Sequence, residues 1–183
     1  MKTLALFASG SGSNVENIYK YFVGNVNVKV GVVLTDNHNA YVLERAKKLN
    51  IPYISFNYKE TSPDNLLKIL ESYKTTHIVL AGYLRLIHNK IIIKYKNKIL
   101  NIHPSLLPKY KGLNTHQRAI DNNEKFSGCT VHFVNSRLDS GKIILQKKVK
   151  IFKTDTSNKL AKRILKQEHL LYPAALKKIL ANH

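Results

Sequence analysis

Four short runs rich in Val, Ile and Leu, at Thr3–Ala8, Val26–Leu34, Ile51–Phe56 and His77–Ala81, punctuate the first half of the chain. They are mostly continuous in apolar character rather than alternating, the pattern of strands covered on both faces. Between them lie three helix-patterned stretches, Asn14–Phe22, Ala40–Leu49 and Pro63–Tyr73. Strands of this kind alternating with helices leave few solutions: a parallel sheet, helices on its faces, right-handed crossovers. The start signals agree. Ser13-Asn14-Val15-Glu16 has the form of a capping box, and Ser62-Pro63 sets an N-cap before a proline at the first helical position.

Further strands are expected at Lys98–His103, Thr130–Val134 and Ile143–Ile151, with antiparallel pairing in the C-terminal half. A last helix is expected from Ser157, interrupted near Pro173. The expected fold is thus α/β, a doubly wound, mostly parallel sheet with an antiparallel extension. At 183 residues and 44% hydrophobic composition the chain can bury one core, and we expect a single domain over 1–183. Cys129 is the only cysteine, so no internal disulfide forms. The opening MKTLALFASGSGS has a lysine and an apolar stretch, but Leu4–Ala8 is shorter than a secretory apolar region of roughly seven residues or more. No run approaches the roughly 18 apolar residues of a membrane span. These features predict a cytoplasmic protein with no membrane partner.

A net charge of +19 invites a nucleic-acid reading. Yet 25 of the 30 basic residues are Lys, spread along the whole chain, whereas base readout and bidentate phosphate grips favour Arg. No nucleic-acid motif stands out, so no specific nucleic-acid partner is expected.

Three constellations carry chemistry. In FASGSGSN a glycine-rich turn leads from the first strand into a helix start, where backbone can approach an anion closely. Gly10 and Gly12 match two glycines of the dinucleotide fingerprint, but Val15 stands at the third, which suits a single phosphate better than a dinucleotide; a plain tight turn is the alternative. Asn101 and His103, two apart at a strand's end, share a face. An amide donor and a titratable ring on one face suit attack on a carbonyl, where negative charge appears on oxygen. Pro104 and Pro108 stiffen the loop beyond the strand. Asp139, in the polar turn NSRLDSGKII, gains meaning as a partner that raises the pKa of His103 and orients its ring; otherwise it is a turn residue. His116, near a helix start capped by Thr115, and His132, inside a strand, read as supporting or packing groups. No compact metal-ligand motif exists, and no metal is expected.

The segments SGSGSN, AGYLRLI, NIHPSLLPKYKGLNTHQRAI, GCTVHFVNSRLDSGKIILQ and QEHLLYP resemble, in that order, the phosphoribosylglycinamide formyltransferases of purine synthesis. The resemblance covers essentially the whole chain. It implies formyl transfer from 10-formyltetrahydrofolate to glycinamide ribonucleotide, a Rossmann-like fold, and a monomer or homodimer. It implies a phosphate-binding half over 1–100 and a catalytic and folate-binding half over 101–183. It implies Asn101, His103 and Asp139 as catalytic residues; Gly12, Ser13, Asn14 and Glu168 as ribonucleotide contacts, with a surface salt bridge the alternative for Glu168; and Lys59, Leu84, Arg85, Leu86, Ile87 and Asn101 as folate contacts. Three positions depart from the family pattern. Ser127 stands where a His precedes the glycine, Lys142 replaces a proline, and Lys59 falls where an Arg is usual, in a shortened segment. Methionyl-tRNA formyltransferase shares the catalytic core but has a further C-terminal domain and a different loop where KGLNTH stands. Formyltetrahydrofolate deformylase shares the trio but has an added N-terminal domain. A basic nucleic-acid-binding protein is the alternative of another class.

Overall fold

The computed structural model of the chain describes residues 1–181. Seven strands form a mixed, mostly parallel α/β sheet, and the chain divides into two compact units, Met1–Leu100 and Asn101–His183. The first holds β1 (Lys2–Phe7), α1 (Ser13–Phe22), β2 (Val28–Thr35), α2 (Val42–Lys48), β3 (Tyr53–Ser55), α3 (Pro63–Ser72), β4 (His77–Leu80) and α4 (Asn89–Lys94). Its strands run β3-β2-β1-β4, each adjacent pair parallel. With β2 on one side and β4 on the other, β1 is buried on both faces: Leu4, Ala5, Leu6 and Phe7 are fully inaccessible. Val15, Ile18 and Phe22 of α1 and Leu66 and Leu70 of α3 supply the helical side of this core, at the three- and four-residue spacings of amphipathic helices.

Ser62 caps α3 as its sequence predicts, its hydroxyl accepting from the Asn65 N–H at 3.2 Å with Pro63 next. The capping box at Ser13 does not form. Gly12 is the N-cap, left-handed at φ 72°, and the Glu16 carboxylate turns to Lys20 and Arg45 instead. The third strand is only Tyr53–Ser55, shorter than its apolar run, and α4 had no clear signal because its apolar run Ile91–Ile93 is brief and uncapped.

The second unit carries β5 (Ile99–His103, through which the division passes), α5 (Thr115–Asp121), β6 (Phe126–Phe133), β7 (Ile143–Lys150) and α6 (Ser157–Ala181). β6 and β7 pair antiparallel. A Cβ on Gly128 would fall 2.0 Å from the Lys147 carbonyl oxygen, so glycine is needed where these strands meet. β7 is the outer strand and shows Lys147, Lys148 and Lys150 to solvent. Contrary to expectation, Pro173 does not interrupt α6. A proline inside a helix costs about 3 kcal/mol; burial of Tyr172, Ala175, Leu176 and Leu180 around and beyond it offsets that cost. No helix among the described residues is long and apolar enough to cross a membrane.

This architecture makes β1 the most sensitive element. Leu6→Ala should cost about 2–5 kcal/mol in urea unfolding, while Leu170→Ala, at a side chain 69% exposed, should stay within about 0.5 kcal/mol.

Candidate functional site

In the second unit β5 delivers Asn101 and His103 on one face, and the loop after it curls back onto them. Three side chains brace that loop. Thr115 donates to the Pro104 carbonyl at 2.8 Å, so it braces the loop rather than capping α5, whose N-cap is the left-handed Asn114. Thr130 donates to the Ser105 carbonyl at 2.7 Å and accepts from the Leu107 N–H at 3.1 Å. Gln146 donates to the Leu107 carbonyl at 2.9 Å. The result places the Tyr110 carbonyl 2.8 Å from Nε2 of His103.

Asp139 sits between β6 and β7 in a left-handed conformation (φ 45°). The bend is possible because Gly141 has no Cβ; one there would lie 1.7 Å from the Phe133 carbonyl oxygen. Lys142, in place of the family's proline, is held by its carbonyl accepting the Phe133 N–H at 2.9 Å. Oδ2 of Asp139 accepts from the Gly112 N–H at 2.9 Å and lies 3.3 Å from Nδ1 of His103. Oδ1 lies 3.5 Å from Nδ2 of Asn101 and 3.6 Å from Nε2 of His132. All of these side chains except Asn101 are buried, and Asn101 is half-buried.

Proton positions follow from the partners. Nδ1 of His132 faces the Phe133 carbonyl at 2.8 Å and must carry hydrogen. In the neutral ring Nε2 then accepts from Nδ2 of Asn101 at 3.2 Å, aiming the Asn101 amide. Nε2 of His103 faces a carbonyl and likewise carries hydrogen, so the Nδ1–Oδ2 contact is where one further proton is held. Burial pushes the His103 pKa down, and the Tyr110 carbonyl and the Asp139 charge oppose it only in part. The expected net rise from the carboxylate is therefore not what the buried site produces. For Asp139 burial acts upward, but the Gly112 N–H and the two neighbouring histidines outweigh it and keep the carboxyl below its ordinary range. His103 and Asp139 thus form a pair in which each group is held below its ordinary range. Such a pair can hold a proton in transit and, when charged, stabilise an anion. Burial drives the Cys129 thiol up to about 12, so it is no thiolate at neutral pH.

In the first unit, the Gly10 carbonyl accepts from the Val42 N–H at 3.1 Å and the Ser11 carbonyl from Nε of Arg45 at 2.8 Å, so α2 braces the glycine-rich turn. Gly12 and Asn14 are buried at the start of α1 and Ser13 is partly exposed. Leu84 and Leu86 are exposed and Ile87 is partly so; Arg85 is ion-paired with Asp36 at 2.8 Å. Lys59 is exposed, its N–H bonded to Oδ1 of Asn57. Glu168, on α6 of the second unit, is 8% exposed, and Ser127 is buried in β6. Reasoning from sequence left two parts of the site unassigned: His132 as the partner of Asn101, and the Tyr110 carbonyl and Gly112 N–H as partners of His103 and Asp139. The position of His132, two residues after Thr130 and so on the same strand face, was the available signal. Among the described residues no cluster of three or more His, Cys, Asp and Glu side chains is arranged to hold a metal.

Two expectations concern stability. Gly12→Ala puts a Cβ 2.4 Å from Val42 in a left-handed residue, and should cost at least about 1 kcal/mol. Gly10→Ala, whose Cβ meets nothing within 4 Å, should be nearly neutral by the same urea titration. Burial also lowers the pKa of His116. The unfolded chain then binds more protons than the folded one as pH drops through the ordinary histidine range, so His103 and His116 both remove stability on acidification from about 7 to 5. Melting temperature should fall over that window, and His116→Gln should flatten the slope.

Comparison with known proteins gives concordant results. Residues 2–176 match the family model described as formyl transferase. The phosphoribosylglycinamide formyltransferase of Haemophilus influenzae is 42% identical, covering 97% of this chain and 86% of its own. That of Escherichia coli is 35% identical, covering 94% and 84%. The crystal structure of glycinamide ribonucleotide transformylase 1 from Symbiobacterium toebii superimposes with a TM-score of 0.95 at 36% identity, covering 100% of this chain and 89% of its own. The phosphoribosylglycinamide formyltransferase of Brucella melitensis gives 0.92 at 40%, covering 98% and 96%.

Proposed function

The chain belongs to the formyl transferase family, and on that footing we propose that Asn101, His103 and Asp139 move a formyl group from 10-formyltetrahydrofolate to the amine of N1-(5-phosphoribosyl)glycinamide. The activity is that of a phosphoribosylglycinamide formyltransferase of purine biosynthesis, a one-carbon transferase. The observation that carries the residue assignment is the convergence of an amide, an imidazole and a buried carboxylate within 3.5 Å contacts.

The free amine attacks the formyl carbon. A C–N bond forms, and the carbonyl π pair moves onto oxygen. Asn101 donates to that oxygen, and the imidazolium form of His103, its two N–H groups held by the Tyr110 carbonyl and Asp139, stabilises it by its positive charge; loss of one oxyanion donor typically costs about 10²–10³ in rate. Asp139 sustains the imidazolium against the burial that would discharge it. The attacking nitrogen becomes positive and gives its proton to Asp139, directly or through a water. As the carbonyl re-forms and the folate C–N bond breaks, the departing nitrogen takes that proton from Asp139, directly or through the same water, so charge balances without a covalent enzyme intermediate.

On this reading Gly12, Ser13 and Asn14 hold the phosphate with backbone N–H groups at the start of α1. Glu168 is a further ribonucleotide contact, and Lys59, Leu84, Arg85, Leu86, Ile87 and Asn101 face the folate. The test is to mix the purified protein with both substrates and follow loss of the formyl folate. Omitting the ribonucleotide separates a transferase from a deformylase, and charged initiator tRNA tests the tRNA enzyme. Asn101→Ala, His103→Ala and Asp139→Ala should each lower kcat by about 10²–10³ with smaller effects on KM, and Cys129→Ser should be mild. Near-normal turnover of Asp139→Ala, or a trapped formyl-enzyme, would refute the assignment.

A further inference from the structure

A buried carboxylate in the first unit has no part in the chemistry above. Asp36 follows directly on β2, and its side chain is only 4% exposed. Its two oxygens serve two different segments. Oδ1 accepts the Ser9 hydroxyl at 2.5 Å, at the entrance to the glycine-rich turn. Oδ2 accepts Nε of Arg85 at 2.8 Å, in the segment after β4. Ser9 closes the circuit: its hydroxyl accepts the Leu84 N–H at 3.0 Å, and its own N–H donates to the Gly82 carbonyl at 3.0 Å. Asn37, the neighbour of Asp36, adds a bond from its amide to the Ser9 carbonyl at 3.3 Å. Tyr58 steadies the far end of the same segment, donating to the Leu86 carbonyl at 3.0 Å and stacking on His88 at 5.2 Å.

From this circuit we infer that Asp36 is a positioning residue shared by both substrates, setting the phosphate-binding turn and the 82–86 folate segment from a single carboxylate. The inference rests on the assignment of Gly12–Asn14 to the ribonucleotide and Leu84–Ile87 to the folate. A hydrogen bond to a buried charge is among the stronger ones, and a group deprived of it is left without its intended partner. Removing the carboxylate therefore frees Ser9 and Arg85 together, and with them two stretches of backbone that touch different ligands. An amide at the same position behaves differently. Its oxygen still accepts from Arg85, and its NH₂ donates to the Ser9 hydroxyl, which can turn to receive it. The circuit's shape survives with only the charge lost.

The experiment measures KM for both substrates and kcat in wild type, Asp36→Ala, Asp36→Asn and Ser9→Ala, with thermal melts to establish folding. Asp36→Ala should raise both KM values roughly tenfold and change kcat much less, and Asp36→Asn should recover most of the loss in both. Ser9→Ala, which cuts the circuit without emptying the carboxylate site, should raise both as well, and it decides the matter if Asp36→Ala does not fold. A rise in one KM alone, a fall in kcat with both KM values unchanged, or an Asp36→Asn variant as impaired as Asp36→Ala would overturn the shared role. Absence of formyl transfer in the wild type would instead overturn the functional reading on which it stands.

Discussion

Asp139 has two oxygens, and groups from three directions meet there. The backbone of Gly112 comes from the loop after β5, Asn101 and His103 come from the strand itself, and His132 comes from β6. Remove that carboxylate and each of these elements loses the reason for its present orientation. The strained backbone that presents it, φ 45° on a non-glycine residue, is the kind of cost that persists only where surrounding structure over-determines it. Here the surroundings do so through Gly141 lying flat against Phe133 and through the β6–β7 pairing on either side.

Burial and charge pull the site in opposite directions, and the balance has a chemical use. Burial discourages an imidazolium; the Asp139 carboxylate 3.3 Å away encourages it. A ring that resists charge at rest yet has a carboxylate ready to support it can take up a proton when substrate charge develops and release it afterwards. His132 supplies what this arrangement otherwise lacks, a fixed acceptor that turns the Asn101 amide and prevents it from rotating its oxygen into the site.

The architecture of the first unit was legible because its signals are local and agree with one another. Continuous apolar runs became doubly buried strands, and Ser62-Pro63 became a cap. The spacing of Asn101 and His103 predicted a shared face from the period of the strand alone. Elsewhere tertiary contacts overrode local preference. Ser13 lost its capping role because Gly12 occupies the left-handed position before it. Arg45 drew Glu16 away. Thr115 found a carbonyl from an earlier turn, and Pro173 was carried by the core packed around it. Asp139 and His103 lie 36 residues apart in sequence and leave no periodic trace, so residue chemistry suggested their partnership but spacing alone could not establish it. The net direction of the His103 shift was misjudged because sequence shows the neighbouring charge but not the depth of burial.

The lysines of β7 bear on how copies of this chain behave toward one another. An outer strand offers a row of unsatisfied backbone groups to any other strand that drifts alongside, and charged side chains are a common defence. With Lys147, Lys148 and Lys150 at that margin, a second copy approaching edge to edge would bring like charges together as its first hydrogen bonds formed. A large positive charge thus finds a use that requires no ligand: it guards a sheet that stops at β7 against being continued by a neighbour. That repulsion reaches about 8 Å at physiological ionic strength and shortens as salt is added.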